Sequence, residues 1–221
     1  MNDIISTVTL VALPLIFAIT VHEVMHGYVA MKLGDKTAYR AGRLSLNPIN
    51  HIDPIGTVVL PIAMMVIQNI SGGPFILFGW AKPVPVNFAA LNNPKRDMLW
   101  VALAGPVSNI VMAILWAYVA IFATRMNMGV ATEFLTETAS IGISINISFA
   151  AINLLPLLPL DGGRIVASLL PDSLAEKYAL TERYGFFILL GLVILAPKIL
   201  GLLVYPIFNV IRSIVMFFII F

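Results

Sequence analysis

Long stretches of this chain carry no charged side chain at all: Ile4 to Val21, Pro54 to Ala81, Met98 to Thr124 and Thr138 to Leu160. A helix crossing a bilayer needs about 20 predominantly apolar residues, so runs of this kind are long enough to enter or cross one. In hydrocarbon every backbone N–H and C=O must be satisfied inside the protein, which leaves helices for such uninterrupted runs. Composition points the same way. Hydrophobic residues make up 60% of the 221 and charged residues 11%, against roughly 25% charged in soluble domains. Too few polar groups exist to cover a surface in water, so lipid must cover most of it. The formal charge of +2 is small and the basic residues are scattered, so nothing suggests a nucleic-acid partner.

The chain therefore reads as an all-α polytopic membrane protein, one integral-membrane domain over residues 1–221, with five or six transmembrane helices and short membrane-associated extended segments. The first helix runs from Ile4 towards Leu33, with Gly34 as its stop. No basic region precedes it and no small-residue cleavage pattern interrupts it, so it is expected to be retained rather than removed as a signal peptide. A second helix is expected from about Ile55 to Ile70, and a third from Met98 to Thr124, closed by Arg125. The fourth, Thr138 to Leu160, contains Asn146, Asn153, Pro156 and Pro159. Asp161 to Leu170 reads as a short helix and Asp172 to Arg183 as a polar surface segment. Tyr184 to Leu203 and Tyr205 to Phe221 are two helices, or one helix and an interfacial piece. Tyr39 to Leu46 alternates loosely and predicts a surface strand, and the prolines of Trp80 to Val86 predict an extended segment. Basic residues do not orient the chain. Lys32, Lys36, Arg40, Arg43, Arg125 and Lys198 on one side balance Lys82, Lys95, Arg96, Arg164, Lys177 and Arg183 on the other.

Inside the first apolar run sits His22-Glu23-Val24-Met25-His26. On a helix, H-E-x-x-H puts two imidazoles one turn apart on one face, where both reach one zinc ion, with the glutamate beside a metal-activated water. Ionisable residues at bilayer depth cost about 2.5–3.5 kcal/mol each on insertion scales. Three in one turn need a compensating charge, which a divalent cation supplies. The chain has no cysteine, so its zinc ligands must be His, Asp or Glu, a donor set that suits an open, reactive site. A catalytic zinc commonly takes three protein ligands and a water. His51 lies in a polar loop. Asp161 is better placed, because Pro156 and Pro159 break the preceding span and can aim it back at the histidine pair; otherwise it is simply the N-cap of the next helix. Asn153 is either an interhelical hydrogen-bonding residue or an amide donor to a developing oxyanion. Asn109 reads as interhelical and Gly105-Pro106 as a kink or a part of the site; Arg43 and His51 are surface residues, substrate contacts or hydrogen-bond partners of the zinc ligands, and the sequence favours the surface.

These motifs together resemble the site-2 protease family of intramembrane zinc metalloproteases. The resemblance rests on His22-Glu23-Val24-Met25-His26-Gly27, Gly105-Pro106-Val107-Ser108-Asn109, and Asn153-Leu154-Leu155-Pro156 leading to Leu160-Asp161-Gly162, in the family's order. Gly42 to Pro48 and Gly79 to Pro85 resemble its compact bacterial and archaeal branch. The resemblance implies one zinc ion per chain held by His22, His26 and Asp161, with Glu23 as general base. It also implies hydrolysis of peptide bonds within transmembrane protein substrates, in a prokaryotic cell membrane, with the active site and the Gly34 end of the first helix towards the cytosol. The chain has no room for the PDZ-like or nucleotide-sensing domains of larger members, and it starts directly on the motif-bearing helix. Two other functions use the same residues: a membrane zinc hydrolase of a non-peptide substrate, and a metal transporter. A transporter more often shows inverted repeats and several polar positions along a path, and one compact cluster is visible here.

Overall fold

A computed structural model describes residues 2–59, 81–127 and 129–220. Among these residues the fold is all-α, and no strand occurs. Helix α1 (Asn2–Lys32) stops where Gly34 takes φ +112°, and a side chain at that position would run into Asn92. A single turn, α2 (Thr37–Arg40), follows. Helix α3 (Pro94–Met126) begins on proline, whose missing N–H costs nothing there, and Asp97 accepts the Asn93 N–H at 2.7 Å. Then come α4 (Val130–Asn153), α5 (Asp161–Leu169), α6 (Asp172–Ala179), α7 (Glu182–Ile194) and α8 (Pro197–Ile220).

Helix α3 is the centre, packing against α1, α4, α5 and α8. Its two faces show why. Ala102, Gly105, Asn109, Ala113 and Ala117 form a buried stripe at helical spacing, whereas Trp100, Val107, Val111, Leu115, Tyr118 and Phe122 are exposed. Small residues face protein and let backbones approach closely, while large apolar residues face outward. That arrangement suits hydrocarbon and would expose too much apolar surface in water. Ala113 joins Ile147, Ala150 and Ala151 of α4 and Ile211 and Val215 of α8 in one core; Met98 and Val101 join Ala30 of α1 and Leu91 in another.

Four described stretches are long and apolar enough to cross a membrane: Leu10–Lys32, Pro94–Met126, Val130–Asn153 and Pro197–Ile219. The expected helix from Ile55 to Ile70 lies mostly outside the described residues, and its first part, Pro54–Val59, is wound as a π-helix. Two expectations need correction. Tyr39 to Leu46 forms no strand, because Asp35 Oδ1 accepts the Thr37 N–H at 2.9 Å and starts the turn α2, and Gly42 at φ +65° leads the chain away. The last apolar region breaks at Pro197 and not near Tyr205, so α7 has 13 residues and is about 20 Å long, too short to cross alone. One long helix and one shorter piece result.

Candidate metal centre

The site forms where α1, α3 and α5 meet. His22 and His26 stand one turn apart on α1 with their Nε2 atoms 3.0 Å from each other. Helix α4 ends at Asn153, the segment from Leu154 to Leu160 doubles back, and Asp161 opens α5. Its Oδ2 lies 3.2 Å from His22 Nε2 and its Oδ1 3.3 Å from His26 Nε2. A carboxylate at a helix start also sits well in the helix dipole.

Backbone carbonyls fix which nitrogens carry protons. Val101 O can only accept, so His26 Nδ1 donates to it across 2.7 Å. Ala18 O likewise accepts from Asn109 Nδ2 at 3.1 Å, and this orients the amide so that Oδ1 faces His22 Nδ1 at 2.6 Å. His22 Nδ1 therefore donates too. Asn146 continues the chain: its Oδ1 accepts from Asn109 Nδ2 at 2.9 Å, and its own Nδ2 donates to Gly142 O at 2.8 Å. Both asparagines are fully buried. Each histidine thus turns its Nε2 towards the other and towards a carboxylate. Asp161 Oδ2 is buried with no hydrogen-bond partner. Two ring nitrogens and a carboxylate this close share a positive charge, either a proton or a metal ion, and with both Nδ1 atoms engaged as donors the set of two imidazoles and one carboxylate fits a divalent metal. Gly105 leaves the room for this: a Cβ there would collide with both imidazoles.

Glu23 points into the same cavity, and its Oε2 accepts the Val84 N–H at 2.7 Å. The cavity measures about 340 Å³, and Asn153, Arg164, Pro83, Val84 and Val86 are in its wall. Asn153 Nδ2 donates to Phe149 O at 2.9 Å, which leaves its second N–H available. At 1.5 Å per residue, His26 lies about 9 Å before the end of α1 and Val101 about 10 Å past the start of α3, so the cavity sits near one end of the bundle.

The segment from Lys82 to Asn87 is extended, as its prolines predict, and is pinned along its length. Lys82 N–H donates to His51 O at 3.0 Å, Arg43 Nη2 donates to Lys82 O at 2.9 Å, and Asn87 N–H donates to Asp35 Oδ2 at 2.6 Å. Burial pushes the Asp35 carboxyl up, but hydrogen bonds from the Thr37 hydroxyl and amide and the Asn87 amide, with Arg40 nearby, outweigh it and hold the group below its ordinary value. The surface reading favoured for His51 is corrected here, and half-buried Arg43 gains a partner. His51 is 2% exposed, its ring bonded to Ser45 O at 2.8 Å, and both residues brace the segment above Glu23. His51 is not in the His22, His26, Asp161 group. Asn109, which reads as an interhelical residue in the sequence, is also the hydrogen-bond partner of His22. The Val84 N–H is a site contact that sequence reading missed, since a backbone amide leaves no residue-type signal. For Asn109 the available signal was its place four residues after Gly105.

Comparison with known proteins gives the family. The profile of peptidase family M50 matches residues 124–195, a range that holds Asn153 and Asp161. YwhC of Bacillus subtilis (strain 168) is 38% identical over 191 residues, covering 85% of this chain and 81% of its own. Rip2 of Mycolicibacterium smegmatis is 27% identical over 184 residues, 81% of this chain and 64% of its own. Rip2 of Mycobacterium tuberculosis is 26% identical over 184 residues, 83% of this chain and 66% of its own. The names of these relatives class them, without proof of activity, as zinc metalloproteases. The chain spans about two thirds of the Rip2 proteins. No solved structure matches it. The chain belongs to peptidase family M50, the site-2 protease family, and is a metalloprotease by that membership.

Proposed function

We propose that this protein hydrolyses peptide bonds within membrane-spanning polypeptides, using one zinc ion held by His22, His26 and Asp161. The observation that carries the reading is the convergence of those three side chains, with both Nδ1 atoms engaged as donors and Glu23 beside them. When bound, zinc supplies Lewis acidity, polarising a carbonyl and making water acidic near neutral pH. Glu23 takes the proton from the attacking water and returns it to the leaving amine. The Val84 N–H holds one Glu23 oxygen and leaves the other for this transfer. The second N–H of Asn153 donates to the oxygen that gains charge as the carbonyl is attacked. The substrate must unwind to be cut, since a helix hides its carbonyls in hydrogen bonds. The placement of the cavity near the α1 and α3 ends, where polar loops meet the bundle, gives water a short route in. The bacterial relatives and the family resemblance support a prokaryotic cell membrane with this end towards the cytosol.

The test is purified protein in detergent or liposomes with a single-span peptide substrate, comparing wild type with Glu23→Gln. Cleavage should fall by at least about 10³-fold with zinc content unchanged, because the substitution removes only the proton acceptor. A Glu23→Gln protein that still cuts at the wild-type rate contradicts the assignment. Retained zinc flux across liposomes with no cleavage by wild type would favour a transporter instead.

A further inference from the structure

A second cavity of about 690 Å³ lies beside the metal cavity and shares Val86, Met98 and Arg164 with it. Three elements run from one to the other, α5 and the segment after Lys82 in the chain direction and α3 against it. On α5, Asp161 faces the metal cavity, Arg164 lines both, and Ala167 and Ser168 line the second. On α3, Val101 and Ala102 line the first, Met98 both, and Pro94 and Lys95 the second. On the extended segment Val84 lines the first and Val86 both, and Phe88, in the 3-10 turn that follows, lines the second. The two cavities therefore form one continuous track. From Asp161 to Ser168 the helix rises about 10 Å, the span of about three residues of extended chain.

The far end of this track is outside the apolar region. Pro94 follows the polar stretch from Asn92, and α6 is a short polar helix with no buried residue. The floor is apolar, with Met98, Leu158 and Ala167, and the rim is charged. Lys95 Nζ meets Asp172 Oδ1 at 2.6 Å and Arg164 Nη2 meets Glu182 Oε1 at 3.4 Å. Both cations are thereby matched, and Glu176 is a further carboxylate on the rim without a described partner.

We propose that the second cavity is a substrate subsite that receives the extended, extramembrane flank of the polypeptide cut at the metal centre, and that it favours a flank in which apolar residues accompany a lysine or arginine. The proposal rests on the proteolytic reading and names the part of the substrate that reading leaves open. Continuity with the catalytic cavity identifies the occupant as the same chain that is cut. The surplus carboxylate matches the basic residues that border membrane spans on the cytoplasmic side.

The experiment uses two synthetic single-span peptides, one followed by a lysine-bearing flank and one ending at the span. A photo-crosslinking amino acid is placed at Ala175, in the Glu23→Gln background, so that no turnover is needed. Crosslinks should map to the flank and be absent with the flankless peptide. Crosslinking to lipid alone, equal crosslinking of both peptides, or none to either overturns the proposal. In the active enzyme, Ala167→Trp should fill the cavity and raise KM for the flanked peptide about tenfold, with kcat within about twofold and the flankless peptide unaffected. Glu176 is exposed on α6, and Glu176→Lys should raise the same KM about threefold and recover with a glutamate-bearing flank. An unchanged KM in both variants overturns the subsite. Wild type that cuts neither peptide, with zinc bound, contradicts the proteolytic reading, while the crosslink still decides the cavity's occupant.

Discussion

At the scale of single residues, the histidine pair is held by groups outside it. His22 and His26 each give Nδ1–H to an oxygen, Asn109 Oδ1 and Val101 O, and so keep Nε2 free for a metal. Val101 O is backbone and cannot be removed by substitution, but Asn109 can. Asn109→Leu should weaken zinc binding about 10- to 100-fold, read by chelator competition. Asn109→Asp keeps an acceptor for His22 and should retain more affinity than Asn109→Leu. Equal affinity in wild type and Asn109→Leu would show that the amide only packs helices. The motif residues were legible in the sequence because H-E-x-x-H fixes helical spacing and because ionisable groups in an apolar run demand a reason. Their partners were less legible. An asparagine in a membrane helix bonds to something in nearly every case, and its address depends on how helices rotate against each other.

At the scale of elements, the extended segment from Lys82 to Asn87 is an inner wall of the site, tied to the end of α1 through Asp35. Because Asp35 is held below its ordinary carboxyl value, its contribution to stability is full above that value, near pH 3.8, and is lost as pH falls through the lower folded value. In thermal unfolding in detergent, Asp35→Ala should cost about 1–3 kcal/mol at neutral pH, since two backbone N–H groups lose their acceptor. The gap from wild type should stay flat down to about pH 4 and narrow below it. A gap that instead widens with acid would contradict the sign of the shift. The prolines announced an extended segment here, and Pro156 and Pro159 announced the break before Asp161. The strand expected at Tyr39 failed because loose alternation over a few residues carries less weight than a carboxylate that binds the Thr37 amide two residues on and bends the chain. The helix boundary at Pro197 was available in the sequence. Proline at a first helical position sets a boundary even where apolar residues continue on both sides.

At the scale of the molecule, small residues pack inward on α3 and large apolar residues face outward, and this places a polar, metal-competent cavity within an apolar bundle. The apolar runs made the class legible, but which helices touch was not, because uniformly apolar segments have no polar face to orient them. The central claim is that α5 folds back to bring a carboxylate to two imidazoles on α1 so that all three grip one cation. Elemental analysis of zinc per chain, on purified wild type, Glu23→Gln and Asp161→Ala, tests this most directly. The structure predicts about one zinc in the first two and a large loss in the third after mild chelation. Wild type that never retains zinc, or Asp161→Ala that retains it as firmly as wild type, would contradict the claim.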